Sequence, residues 1–124
     1  NVFVYDYIKD KDKIYEIELN TELYLLGSKG EGFNLGLMEA LGAGCVGVST
    51  DVKYGPSELI KNKKTGYVVE YDNFKQLSNR IIELFNDKNK LKKLRINSLD
   101  YMNKDFSDVA VLEKWKEALN EINK

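Results

Sequence analysis

The sequence contains no histidine. A Ser-His-Asp or Cys-His nucleophile and a His-ligated zinc centre are therefore excluded for this chain alone. Cys45 is the only cysteine, so no disulfide can close within the chain. Its place in an apolar run suits a buried structural thiol and a reducing compartment. Proline occurs once, at Pro56. No apolar run approaches the roughly 20 residues that span a bilayer, and nothing resembles a signal peptide. Charge of one sign is also missing. The net charge is -1, so no basic field draws the chain to nucleic acid. Lys61, Lys63 and Lys64, and Lys88, Lys90, Lys92 and Lys93, cluster locally, but among acidic residues, as a solvated surface does.

What is present suits an ordinary globular domain. The chain has 124 residues, 43% of them hydrophobic and 31% charged, enough for one domain around one core. It begins with Asn in place of Met, and we expect a processed or excised piece. No internal repeat, low-complexity tract or linker interrupts it.

The stretch from Tyr24 to Asp51, YLLGSKGEGFNLGLMEALGAGCVGVSTD, carries most of the information. The run Leu23 to Leu26 reads as a strand leading into Gly27, Ser28, Gly30 and Gly32. An amphipathic helix follows from about Asn34 to Leu41, closed by Gly42 and Gly44, and Cys45 to Val48 reads as a second strand. Together they make one βαβ unit. The unpaired N–H groups at such a helix start form an anion site, most often for phosphate. The glycines let backbone approach a ligand, yet the pattern is neither G-x-G-x-x-G nor a Walker loop. Glu31 stands ahead of the helix, and Glu39 about 7.5 Å along it at 1.5 Å per residue. One carboxylate can meet a group beyond the phosphate while the other meets a ribose diol. The same residues also serve as a surface helix side chain and a charge favourable to the helix dipole. Local physics leaves both readings open.

The flanking chain alternates strands and helices. Val2 to Ile8 is β-branched and aromatic, which predicts a strand. Asp10-Lys11-Asp12 has D-x-D metal spacing, but without further oxygens it reads as a helix start or solvated loop. Lys13 to Leu19 is weakly helical, with Ile14, Ile17 and Glu18 on one buried face. Pro56 suits the start of a short turn over Ser57 to Ile60, and Tyr67 to Val69 reads as a strand. Asp72 or Asn73 can cap the helix of Phe74, Leu77, Ile81, Leu84 and Phe85, and Asn73, with Gln76 three residues on, has capping-box spacing. A lysine-rich helix from about Lys88 to Asn103 uses Leu91, Leu94, Leu99 and Met102. Ser107 caps a last helix with Leu112, Trp115, Leu119 and Ile122. The alternation predicts an α/β fold with a parallel sheet.

The segment EGFNLGLMEALGAG resembles the Glu-x7-Glu segment of retaining glycosyltransferases with the GT-B fold, the large group 1, family-four type. The usual form is a serine, two residues, EGFG, LxxLEAMA and a glycine. Ser28, Glu31, Gly32, Phe33, Leu35, Glu39, Ala40 and Gly44 fall in place. The likeness continues through STDVKYGPSELI, TGYVVEYDN and the last helix. It implies a partial Rossmann-like parallel sheet with flanking helices, the later part of the C-terminal, donor-binding domain. It also implies a nucleotide-sugar donor (most often a UDP-sugar) with no metal or other cofactor, because fixed dipoles stabilise the leaving diphosphate.

By the same resemblance, Glu31 is the catalytic glutamate beside the donor sugar. Gly32, Phe33, Asn34 and Leu35 form the loop and helix start that meet sugar hydroxyls and diphosphate. Glu39 grips the ribose, and backbone around Tyr7 and Ile8 lies near the base. The stretch from Asp51 through Tyr54 to Glu58 is similar to members acting on bacterial surface polymers, which implies a glycan, teichoic-acid-like or lipid-linked acceptor. A turn and helix start explains Tyr54 to Ser57 equally well.

The chain also departs from the pattern. Gly44-Cys45-Val46-Gly47 lacks the usual proline, and Asp6 stands where glycine is frequent. An N-terminal acceptor domain, the first donor-domain strands, the basic pair for the diphosphate and the cleft histidine are absent. We therefore expect a half-site without turnover alone, and a homodimer through an exposed sheet edge. The expected place is the cytoplasm, peripherally at the inner membrane face. A non-catalytic module binding nucleotide sugar or a partner is the alternative function, and a structural scaffold a third.

Overall fold

The computed structural model describes residues 2–123. Strands β1 (Leu23–Leu26), β2 (Val46–Thr50) and β3 (Gly66–Val69) form a parallel sheet in that order. The helices are α1 (Lys11–Leu19), α2 (Leu35–Gly42), α3 (Pro56–Leu59), α4 (Phe74–Asn86), α5 (Lys88–Phe106) and α6 (Asp108–Ile122). Parallel neighbours need crossovers; α2 supplies the first and α3 the second. Pairing runs from Leu23 with Val46 to Leu26 with Ser49, and from Gly47 with Gly66 to Thr50 with Val69.

Every residue of β2 is buried, because helices cover both faces of the sheet. On one face Val46 and Val48 pack with Tyr67, Leu84, Leu91 and Leu94. Leu37, Leu41, Leu59, Ile60 and Met102 form the core on the other. Fully burying one such side chain contributes about 1.5–3 kcal/mol. α5 serves both layers: Leu91 and Leu94 join the first core and Met102 the second. Between them Ser98 is fully buried, and its Oγ has no partner among the described residues.

Polar caps start the helices where the sequence places them. Asp10 accepts from the amides of Asp12 and Lys13, so this D-x-D stretch is a helix start. Asn73 accepts from Gln76 N–H, while the Gln76 side chain accepts from Glu70 N–H in place of closing the box on Asn73. Asp87 caps α5 and Ser107 caps α6. Pro56 opens α3.

Several expectations need correction. Val2 to Ile8 is not a strand: Val2, Phe3, Val4, Tyr5 and Tyr7 are exposed and pair with nothing among the described residues. β propensity cannot hold a strand that lacks a hydrogen-bonded neighbour. In α1, Ile17 is exposed while Glu18 is buried. Phe74 and Phe85 lie exposed at the ends of α4, whose packing rests on Leu77, Ile81 and Leu84. No residue of α6 is buried, and its Leu112, Trp115, Leu119 and Ile122 face outward. A correct helical period shows a stripe without saying what covers it.

The loop after β2 leans on the loop after β1. Tyr54 and Gly55 both have positive φ, 67° and 113°. A Cβ at Gly55 would lie 2.7 Å from the Gly32 carbonyl oxygen and 3.5 Å from Glu31 Cβ. Gly55→Ala is therefore expected to cost about 1–3 kcal/mol, read as a lower urea midpoint. An unchanged midpoint would show that this contact is not built as described.

A second constraint joins α4, α5 and β3. Glu83 accepts from Lys90, from Arg80 Nη1 at 2.7 Å and from the Tyr67 hydroxyl at 3.3 Å. Hydrogen bonds from Lys90 and Arg80 hold the carboxyl down at about 2, against an ordinary 4.5. Its stabilisation is full above the unfolded value and disappears as pH falls from 4.5 toward about 2. Glu83→Gln should lower stability at pH 7 by about 1 kcal/mol and flatten that acid limb in urea titrations. An acid limb of wild-type steepness in the variant would refute the assignment.

Candidate functional site

The site begins where β1 ends. Gly27 leads into a loop whose Gly30 and Gly32 have no protein atom within 4 Å of where a Cβ would sit. Asn34 then starts α2: its carbonyl accepts from Met38 N–H at 3.1 Å and its Oδ1 from Leu37 N–H at 2.7 Å. That cap uses the third amide of the helix. The first two, on Leu35 and Gly36, have no intrahelical partner by geometry, and no other described group accepts from them. The helix start is half self-capped and half open.

Tyr24 lies beneath this start. A Cβ at Gly36 would stand 3.1 Å from its hydroxyl oxygen, so the glycine admits the phenol to the first turn. Burial pushes the Tyr24 hydroxyl up in pKa, and the charges of Glu18, Glu31, Glu39 and Cys45 push it further. Glu31 and Glu39 thus both act on this one group.

They do not share one groove. Glu39 lines a groove of about 290 Å³ between α1 and α2, with Lys11, Asp12, Ile14, Tyr15 and Glu18. Tyr7 and Ile8 are not part of that lining. Glu31 is half-buried in the loop beside Gly55. The Phe33 ring turns to a different, apolar groove of about 500 Å³, with Met38, Phe106 and Trp115. Gly32 and Leu35 are exposed. The residues expected to bind therefore fan out from the helix start: Phe33 toward α6 and Glu39 toward α1.

Sequence reasoning missed Tyr24 and the role of Glu18. The signal for Glu18 was its place on a helix face with Ile14, where an acid is out of keeping. Glu18 is 9% exposed; burial raises its pKa and Glu39 raises it further. Cys45 is buried as expected, and its Sγ donates to the carbonyls of Glu18 and Thr21 at 3.3 and 3.5 Å. Burial, aided by Glu18 and opposed by Arg95, pushes this thiol up to about 11, so it stays protonated and inert at neutral pH. Arg95 Nε donates to Gly44 O at 2.8 Å, fixing the turn that ends α2.

Comparison with known proteins identifies the family and the fold. Among curated relatives, the poly(ribitol-phosphate) alpha-N-acetylglucosaminyltransferase of Staphylococcus aureus (strain COL) is 29% identical over 97% of this chain and 24% of its own length. The poly(glycerol-phosphate) alpha-glucosyltransferase of Bacillus subtilis (strain 168) is 33% identical over 98% of this chain and 18% of its own. The pneumococcal O-GlcNAc transferase GtfA, solved with UDP and GlcNAc, superposes with a TM-score of 0.72 at 30% identity, over 88% of this chain and 22% of its own. Such structural neighbours are GT-B glycosyltransferases. The chain thus spans a quarter or less of the length of these relatives. Residues 1–100 match the family described as Glycosyl transferases group 1, and the chain belongs to it.

Proposed function

We propose that this chain is the donor-nucleotide half-site of a retaining glycosyltransferase. The observation that carries the reading is the pair of open amides on Leu35 and Gly36, one helical turn before Glu39, which lines a groove against α1. In it the diphosphate of a nucleotide sugar takes those amides, where the helix dipole favours negative charge. Glu39 accepts hydrogen bonds from the ribose. Glu31, in the loop ahead of the helix start, faces the donor sugar and supports charge developing at its anomeric carbon. Gly32, Phe33 and Asn34 complete the loop around sugar and diphosphate. Fixed backbone dipoles stabilise the leaving diphosphate in place of a metal ion.

Relatives named for poly(ribitol-phosphate) and poly(glycerol-phosphate) support a polyol-phosphate or related surface polymer as acceptor, and UDP beside GtfA supports a UDP-sugar as donor. Such a reaction belongs at the cytoplasmic face of a membrane. Among the described residues no helix is long and apolar enough to cross one. The acceptor side of the reaction lies outside this half-site, so the chain alone is expected to bind donor without turnover.

Calorimetry with UDP and with UDP-GlcNAc tests the assignment. Glu39→Ala should weaken both about tenfold or more, the loss of one charged hydrogen bond. Glu31→Ala should weaken the UDP-sugar and leave UDP alone; equal affinity for the sugar would favour a module that binds without catalysing. Failure of the wild type to bind either ligand would sink the reading.

The sheet also supports self-association. β1 pairs only with β2 among the described strands, and Leu25 on it is 52% exposed. An unpaired edge is a template for a second strand. We expect concentration-dependent dimers by sedimentation velocity, abolished by Leu25→Lys; a strict monomer at high concentration would contradict this.

A further inference from the structure

The wall of the α1–α2 groove is one helical stripe. Lys11, Ile14, Tyr15 and Glu18 follow the i, i+3, i+4, i+7 spacing that shares a face. Glu18 is its innermost member, 9% exposed, yet it still lines the groove. No hydrogen bond or ion pair of its carboxylate exists among the described residues. The surrounding groups offer it no partner. Glu39 on α2 is a like charge, and Tyr24 on β1 and Cys45 before β2 are themselves raised in pKa by it. Asp12 at the groove wall is another acid, and Lys11 lies about 10.5 Å along the helix at 1.5 Å per residue. The Cys45 thiol is committed to backbone carbonyls, and Arg95 to Gly44.

A buried carboxylate held among acids costs stability. Burial and Glu39 raise its pKa above the ordinary 4.5, so the folded protein loses stability as pH rises from 4.5 through the raised value. Ser98 Oγ is the one fully buried side-chain polar atom without a partner among the described residues, so the Glu18 carboxylate keeps an opening to the groove. An ionised carboxylate only accepts hydrogen bonds, and a ligand that meets it there must donate. A phosphate would be repelled by Glu18 and Glu39 together. A vicinal diol instead offers two O–H donors to the two carboxylates that line this groove.

We propose that Glu18 is a second ligand-facing carboxylate, which with Glu39 receives the 2′- and 3′-hydroxyls of a nucleotide's ribose and selects ribo- over 2′-deoxyribonucleotides. This rests on the donor-binding reading of the same groove and adds a specificity-determining residue to it. Relief of the acidic cluster distinguishes the role from a structural one: removing Glu18 should not weaken the fold.

The test is calorimetry of UDP, 2′-deoxy-UDP and inorganic pyrophosphate with the 124-residue chain, its Glu18→Gln and Glu18→Ala variants, and Glu39→Ala. The wild type should prefer UDP to 2′-deoxy-UDP about tenfold. Both Glu18 variants should lose most of that preference, bind pyrophosphate as before, and show a urea midpoint at neutral pH no lower than the wild type. Unchanged preference in both variants, with UDP binding still sensitive to Glu39→Ala, would overturn the role of Glu18 and leave the donor site standing. Equal weakening of UDP and 2′-deoxy-UDP would also overturn it, since the contact would then be to the base or to the fold. A wild type that binds no UDP would take both readings down together.

Discussion

Burial of β2 on both faces is the constraint on which the rest depends. A strand covered on two sides must be flanked by helices, and helices on two sides demand crossovers between parallel neighbours. Parallel strands end at one rim of the sheet. The loops after β1 and β2 therefore emerge side by side, and Gly55 comes to rest on the Gly32 carbonyl. In open sheets of this kind the crevice beyond the carboxyl ends of the strands is where ligands sit. The rim of loops is a consequence of packing the middle strand.

At that rim the molecule divides its polar groups. Asn34 satisfies the amide of Leu37, so the helix has its own cap without closing the amides of Leu35 and Gly36. Three carboxylates, Glu18, Glu31 and Glu39, act on the Tyr24 hydroxyl, which makes the base of α2 acidic. By contrast, Glu83 is neutralised by Lys90 and Arg80. Burying Glu18 among these acids costs stability, and such costs concentrate where a site needs particular groups.

The outward faces follow the opposite logic. Phe3, Tyr7, Trp115, Leu119 and Ile122 are exposed, although each belongs to a run whose composition or period suits burial. Local pattern shows that a segment has an apolar face. A partner surface decides whether that face is covered.

Much of the architecture was legible in the chain itself. The β1 limits, the caps Asn73 and Ser107, the start of α3 at Pro56 and the stripe of α5 rest on contacts within a few residues, where propensity and spacing are strong. The loop and helix start of the candidate site stood out by resemblance, through the Glu-x7-Glu segment, since local physics left its two readings open. Only tertiary structure decided that Val2 to Ile8 pairs with nothing, that Ile17 faces out although Glu18 beside it is buried as its spacing implied, and that Phe33 and Glu39 address different grooves. Those outcomes depend on which surfaces meet across the fold. Sequence distance carries no information about that.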